Sequence, residues 1–286
     1  MFSTFKSAAV LALVAVACIE ACGVDQSLAA RCLTDAHPTK YQLSKAVARI
    51  RTSVTYCTAW LWGSEGHLIT NNHCVPNESV AKETRVELGS ECSTCADPGN
   101  DDQGGCVGTL VVDSTTLVFT DYDLDMTLFK LNVSPDVNLT QYGYLQSRAT
   151  NVTLDDQIYI LGHPDGKPKH IAFLGDDGTH ARITNASMLA GCGEKDTLGY
   201  NVDSESGSSG SPVLSPDDDK VVAMHNCGGC DLVGQNTGIK MPNIVALLKS
   251  KNLLPKDAGV HFLVVHPGEY SGLCTSICWM RQARVT

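Results

Sequence analysis

The sequence lacks an apolar run long enough to cross a membrane, because a spanning helix needs about 20 apolar residues. Its longest apolar stretch is residues 8–19, which follows a single lysine, Lys6. A charged start followed by a short apolar centre is the layout of a secretory signal peptide. We therefore predict a signal peptide at residues 1–21, a secreted, extracellular protein after its removal, and no membrane partner.

The sequence also lacks an excess of basic residues, with 21 Lys and Arg against 31 Asp and Glu and a net charge of −10. A protein that binds nucleic acid through its phosphates usually carries a basic surface. We therefore predict no nucleic-acid partner. The chain contains no internal repeat and no low-complexity linker, and its length suits one or two domains.

Cysteine, in contrast, is abundant, with 13 residues in the chain. Exported proteins use cysteines mainly for disulfides, so we interpret the two C-x-x-C pairs, at residues 92–95 and 227–230, as disulfide cysteines. We predict no metal site and no cofactor. Five Asn-X-Ser/Thr sequons, at Asn77, Asn132, Asn138, Asn151 and Asn185, fit a secreted glycoprotein.

Most apolar segments are short, rich in β-branched and aromatic residues, and bounded by Gly, Asn, Asp or Pro, as at residues 53–62 and 220–224. This pattern predicts an all-β sandwich or barrel. The one clear helix begins near Pro242, where apolar residues recur at helical spacing up to Leu248. Residues 255–286 form a tail that contains Cys274 and Cys278.

Ser209 lies in the segment Gly-Ser-Ser-Gly-Ser-Pro, residues 207–212. A nucleophilic serine needs small neighbours that leave room for substrate and for backbone N–H groups around an oxyanion. By itself this hexapeptide is equally typical of a Ser/Gly turn. Its interpretation as a catalytic segment depends on the rest of the chain.

Two further segments supply a base and a carboxylate. A strand-like run ends on His73, which precedes Cys74, and a disulfide from Cys57 to Cys74 would fix the strand before the histidine. Asp125 opens the apolar run of residues 126–131, while two other aspartates, Asp121 and Asp123, stand close before it.

In the order His, Asp, Ser, these segments resemble the trypsin/chymotrypsin-like serine peptidases over residues 53–254. The serine segment and residues 158–164 are similar to the branch with glutamyl and lysyl endopeptidases. The resemblance implies a chymotrypsin-like double six-stranded antiparallel β-barrel with a C-terminal helix. It implies His73 as general base, Asp125 as its orienting carboxylate, Ser209 as nucleophile, and the N–H groups of Gly207 and Ser209 as oxyanion hole.

With this family as a guide, we expect an N-terminal segment or propeptide at residues 22–52. The first barrel is expected at residues 53–140 and the second barrel, with its helix, at residues 141–254. The partners implied are protein or peptide substrates and protein inhibitors. In trypsin-like zymogens the residue before the nucleophile is an aspartate that pairs with a newly formed N-terminal amine. This chain has Ser208 there, and a neutral hydroxyl cannot form that ion pair.

Two interpretations of specificity remain open. Asp203 stands where trypsin has the aspartate at the base of its pocket, which would select Lys or Arg. Ser204 and His225 resemble the pair with which glutamyl endopeptidases bind an acidic side chain, and a protonated histidine suits a carboxylate. We favour basic substrates. The alternative to both interpretations is that neither residue selects the substrate, because Asp203 points to solvent and His225 only fills a strand position.

Two other functions compete with a serine endopeptidase. A catalytically idle homologue would use the same fold as a binding module, but such homologues commonly lose a member of the triad, and none is missing here. A lipase or esterase needs G-x-S-x-G and a histidine after the serine. Position 211 is Ser, and His73 precedes Ser209, so this second alternative is disfavoured.

Overall fold

The computed structural model describes residues 25–229 and 233–259. The strands are β1 Leu28–Ala29, β2 Val47–Arg51, β3 Tyr56–Leu61, β4 His67–Thr70, β5 Arg85–Leu88, β6 Leu110–Val112, β7 Thr115–Asp121, β8 Met126–Leu131, β9 Tyr159–Gly162, β10 His170–Ala172, β11 Ile183–Met188, β12 Thr197–Tyr200, β13 Pro212–Leu214, β14 Val221–Cys227 and β15 Asn236–Lys240. The helices are α1 Pro38–Ser44, α2 Glu78–Glu83 and α3 Met241–Ser250, and short 3-10 turns occur at Ala30–Leu33, Pro98–Asp101, Leu139–Tyr142 and Pro164–Gly166.

The strands form two antiparallel sheets. The first sheet has the order β6-β5-β2-β3-β4-β8-β7, and the second has the order β1-β10-β9-β13-β14-β15-β12-β11. Each sheet is built mainly from neighbours in sequence, because antiparallel strands can be joined by short turns. The chain crosses from the first sheet to the second between β8 and β9.

The main hydrophobic core is shared by both sheets. Trp60, Phe129 and Leu161 belong to it, and α3 adds Ile244 and Leu248 to the same cluster. A smaller core lies within the second sheet. Burial of a large apolar side chain contributes about 1.5–3 kcal/mol, so the shared core holds the two sheets together.

Four disulfides join described cysteines: Cys32–Cys95, Cys57–Cys74, Cys92–Cys106 and Cys192–Cys227. Two of them pin the loop of residues 92–106. The Cys57–Cys74 disulfide ties β3 to the turn after β4. The predicted tail cysteines, Cys274 and Cys278, lie outside the described residues.

The all-β class with a C-terminal helix is confirmed. The described sheets contain seven and eight strands, whereas the resemblance implied six in each, because short edge strands such as β1 add to them. Residues 22–52, expected as an N-terminal segment, supply β1 to the second sheet and β2 to the first. The predicted signal peptide lies outside the described residues. Within the described part of the chain, no helix combines the length and apolarity needed to cross a membrane.

Candidate active site

His73 and Asp125 meet beside an open cleft. Nδ1 of His73 lies 2.8 Å from Oδ2 of Asp125, and the backbone N–H of His73 donates to Oδ1 of the same carboxylate at 2.9 Å. Asp125 is 4% exposed, whereas 46% of the His73 side chain is exposed. The buried carboxylate therefore fixes both the backbone and the ring of a histidine that faces solvent.

Local structure sets the position of each partner. His73 follows β4 in a turn closed by the N–H of Val75 on the carbonyl of Asn71 at 3.2 Å, and the disulfide at Cys74 holds that turn to β3. Asp125 ends the β7–β8 turn with a positive φ of 40°. The side-chain amide of Asn71 donates to the Asp125 carbonyl at 3.0 Å, which joins the two turns.

The three carboxylates before β8 have different surroundings. Oδ1 of Asp121 accepts from the N–H of Leu124 at 2.9 Å, so Asp121 stabilises the turn. Asp123 lines the cleft. Asp125 alone of the three makes a hydrogen bond to His73 in the described structure, and it is the one that the following strand pattern had pointed to.

The surroundings of His73 set its protonation. Burial lowers the pKa of His73, but the hydrogen bond and charge of Asp125 and the charge of Glu194 outweigh burial, so the pKa is raised overall. A carboxylate favours the protonated imidazole by direct attraction. His73 is thus a stronger base than a free imidazole, which suits it to accept a proton.

Ser209 lines the same cleft as His73 and Asp125, and the cleft has a volume of about 850 Å³. Its segment is fixed to the first sheet, because the N–H of Thr58 donates to the Ser209 carbonyl at 2.8 Å. The hydroxyl of Thr58 donates to the carbonyl of Gly207 at 3.0 Å. The loop with the serine, which belongs to the second sheet, is therefore held against β3, the strand that the Cys57–Cys74 disulfide ties to the His73 turn.

Glycines on both sides of Ser209 are required by geometry. Gly207 has a φ of +89°, and a Cβ there would lie 2.9 Å from the His163 carbonyl. Gly210 has a φ of +88°, and a Cβ there would lie 2.1 Å from the Thr58 carbonyl. The N–H groups of Gly207 and Ser209 donate to no other described residue, so both are available to a bound ligand.

The structure does not bring Asp203 into the cleft with Ser209. Asp203 lines a separate small cavity, together with Ser204 and Asp25. Its Oδ2 accepts from the N–H of Gln26 at 2.7 Å, while Oδ1 is buried without a partner. Burial, together with nearby carboxylates, raises the pKa of Asp203 to about 6. Proximity in sequence to Ser209 thus gave no information on which way the carboxylate turns.

His225 is 2% exposed in β14 and has different partners from Ser204. No hydrogen bond joins the two in the described structure; instead Nδ1 of His225 lies 2.8 Å from the hydroxyl of Tyr200, which donates to the Thr237 carbonyl at 2.7 Å. The Tyr200 hydroxyl proton is engaged there, so Nδ1 of His225 carries the proton of their shared bond. Burial, with a smaller effect of His73, lowers the pKa of His225 to about 3, and the ring is neutral near pH 7.

Residues 163–170, which include two histidines and two lysines, are mostly buried. His163 is fully buried, and Lys169 is 1% exposed. The segment packs behind the serine loop, where Asp165 donates its N–H to the carbonyl of Ser206. Nδ1 of His163 donates to the Lys167 carbonyl at 2.9 Å, whereas Nε2 of the same ring is buried without a partner among the described residues.

Sequence reasoning missed one wall of the cleft. Residues 192–195 line it, as do Asn226 and Gly228. The Cys192–Cys227 disulfide brings this loop to the end of β14. In the sequence, the position of this loop could have been inferred only from a predicted disulfide between Cys192 and Cys227.

Known proteins identify the fold around this geometry. Residues 57–224 match the family model described as trypsin-like peptidase domain. The chain belongs to the trypsin-like peptidase family. The matched region contains all three triad candidates, and the activity of the family is peptide-bond hydrolysis.

Solved structures with the same fold include the Rv3671c protease from M. tuberculosis. Its active form has a TM-score of 0.55 and 17% identity, with 76% of this chain and 85% of that chain covered. Deg5 has a TM-score of 0.53 and 14% identity, with 74% of this chain and 93% of that chain covered. At such identities the likeness concerns the fold alone.

A curated relative is the secreted RxLR effector protein 73 of Plasmopara viticola. It is 38% identical over 244 residues, which are 84% of this chain and 58% of the relative. The chain therefore spans 58% of the length of that relative.

Proposed function

We propose that this trypsin-like peptidase is a secreted serine endopeptidase with Ser209 as nucleophile, His73 as general base and Asp125 as the residue that orients His73. The observation that carries the proposal is the buried Asp125 carboxylate, which binds both N–H groups of His73 on the wall of the cleft that Ser209 also lines. A histidine held in this way has its second ring nitrogen, Nε2, free to accept a proton.

In the proposed reaction, Nε2 of His73 takes the proton of the Ser209 hydroxyl while Oγ attacks the carbonyl carbon of a peptide bond. His73 then gives the proton to the leaving amine, and an acyl-enzyme remains. Water repeats the sequence and releases the acid. Such proton transfer contributes about 10²- to 10⁴-fold to the rate.

The oxyanion formed in both steps is expected to bind the N–H groups of Gly207 and Ser209. Both groups are free of other described partners, and the positive φ of Gly207 is a conformation that other residues rarely adopt. One preorganised donor is worth about 3 kcal/mol of transition-state stabilisation. The two free N–H groups and the conformation of Gly207 support this part of the proposal.

For the substrate we propose a preference for Lys or Arg, with cleavage after Glu as the alternative. The cleft is lined by Asp123, Asp125 and Glu194 but by a single lysine, Lys195, which favours a cationic side chain. The acidic alternative needs a protonated His225, and the lowered pKa of this buried residue disfavours that state. We also propose that the protein belongs to the branch of the family that contains the glutamyl and lysyl endopeptidases.

Export of the protein is proposed on the signal-like segment at residues 1–21, the four disulfides of the described residues and the similarity to a relative that is named a secreted effector. Disulfides persist in oxidising compartments. Detection of the processed chain in the medium of an expressing culture tests this part.

The catalytic proposal is tested by incubating an unbiased peptide mixture with purified wild-type protein and with Ser209→Ala, and mapping the cut sites. We expect cuts after Lys or Arg that disappear in the variant. Cuts after Glu would support the alternative specificity. Equal products from both proteins would refute the serine mechanism and favour a binding module.

A further inference from the structure

Glu194 places a carboxylate on the wall of the cleft that sequence reasoning missed. Its Oε2 accepts from the side-chain amide of Asn226 at 3.0 Å. Asn226 is 3% exposed, and its own Oδ1 accepts from the Thr237 hydroxyl at 3.2 Å. The amide of Asn226 is therefore fixed with its N–H₂ toward Glu194, and Glu194 is held in one place.

The loop around Glu194 is also fixed. The N–H of Ala190 donates to the Glu194 carbonyl at 2.8 Å, and the Cys192–Cys227 disulfide attaches the loop to β14. At the end of the loop, the Asp196 carboxylate binds the ammonium group of Lys240. A carboxylate on such a frame loses little conformational entropy when it binds a ligand.

No cation pairs with Glu194 in the described part of the chain. Lys195 lines the same cleft but makes no ion pair there, and Oε1 of Glu194 has no hydrogen-bond partner among the described residues. Glu194 is partly buried and close enough to His73 to raise the pKa of that ring. An unpaired, half-buried carboxylate beside the reacting groups is suited to bind a positive charge.

We propose that Glu194, held by Asn226, is the residue that selects a Lys or Arg side chain of the substrate close to the bond to be cut. The inference rests on the proposed serine peptidase function and gives the selecting role to Glu194 in place of Asp203. Asp203 is excluded from that role because its carboxylate binds the N–H of Gln26 in another cavity.

The kinetic test uses Glu194→Gln and a pair of peptides that differ only by Lys or norleucine at the position found from the mapped cuts. Glutamine keeps an oxygen for Asn226 but has no charge. A hydrogen bond to a charged group is worth about 1.5–3 kcal/mol, so we expect the Lys/norleucine ratio of kcat/KM to fall at least about tenfold. The matched control is Glu83→Gln, which removes an exposed carboxylate that does not line the cleft and is expected to change the ratio by less than about twofold.

A second readout separates selection from a structural role. Removing the charge of Glu194 lowers the pKa of His73, so the acid limb of the kcat/KM profile moves to lower pH in Glu194→Gln. The other charged or titratable groups near His73, which are Asp123, Asp125, Lys195 and His225, are unchanged in this variant. A loss of packing alone does not produce that shift.

Binding without catalysis keeps the inference distinct from the proposed function. Ser209→Ala and the double variant Ser209→Ala/Glu194→Gln are titrated with the same two peptides by calorimetry. We expect Ser209→Ala to bind the Lys peptide about tenfold more tightly than the norleucine peptide, and the double variant to bind both equally.

An unchanged Lys/norleucine ratio in Glu194→Gln, with the wild type active, would overturn the role of Glu194 and leave the peptidase intact. Lys-selective binding that depends on Glu194, in a wild-type protein that cuts no peptide, would instead support the role of Glu194 and refute the peptidase.

Discussion

Asp125→Asn is the substitution whose effect follows most directly from the geometry. The Asp125 carboxylate accepts two hydrogen bonds, one from the backbone N–H of His73 and one at Nδ1 of its ring. An asparagine has one oxygen, and the backbone N–H cannot rotate away from it. The amide oxygen therefore binds the backbone, and the amide N–H₂ faces Nδ1.

This arrangement makes Nδ1 an acceptor and moves the ring proton of neutral His73 to Nε2. Nε2 then cannot accept the proton of Ser209, so we expect kcat to fall by about 10⁴-fold. The pKa of His73 also falls, because the hydrogen bond and charge of Asp125 that raise it are gone. The residual activity should therefore reach its plateau at lower pH than in the wild type.

The assay is kcat and kcat/KM from pH 5 to 9 on a peptide that the wild type cleaves, with thermal unfolding to confirm that the variant folds. Asp123→Asn is the matched control, since Asp123 lies in the same turn and makes no hydrogen bond to His73. A folded Asp125→Asn protein with kcat within about tenfold of the wild type would refute the orienting role of Asp125.

Three further predictions concern stability. Gly210→Ala places a Cβ 2.1 Å from the Thr58 carbonyl at a φ of +88°, so the free energy of unfolding in urea should fall by at least about 2 kcal/mol; a change under about 0.5 kcal/mol would contradict the strain. The Asp203 pKa is raised to about 6, so ionisation of this carboxyl destabilises the fold as pH rises from about 4 to about 6. The free energy of unfolding in urea of the wild type, relative to that of Asp203→Asn, should therefore be lower at pH 7 than at pH 4; the same difference between the two proteins at both pH values would argue against it. Replacing Cys192 and Cys227 by serine opens a link with a sequence separation of 35 and should cost up to about 4 kcal/mol, and an unchanged unfolding midpoint would oppose this.

The triad candidates were predictable because each carries a local signal. A nucleophilic serine needs small neighbours, and the structure gives both glycines positive φ values. His73 stands at the end of a strand beside a cysteine, and Asp125 directly precedes β8. In each case the chemistry depends on residues within a few positions of one another, which sequence patterns report.

The proposed specificity residue was not predictable in this way, because its role depends on which side of a loop a side chain occupies. Asp203 has the expected spacing from Ser209, but its carboxylate turns toward Gln26, whose approach is a contact across 177 residues of chain. Glu194 enters the cleft through a disulfide to Cys227. Long-range contacts of this kind leave no periodic or local pattern in the sequence.

The central claim is that Ser209 is a nucleophile activated by His73. A fluorophosphonate probe tests it directly, since an activated serine oxygen displaces fluoride and retains the phosphonyl group. Tryptic mass mapping of the labelled wild type should find the adduct on Ser209, with little labelling in His73→Ala and none in Ser209→Ala. Absence of the adduct from folded wild-type protein, or equal labelling in His73→Ala, would contradict the claim.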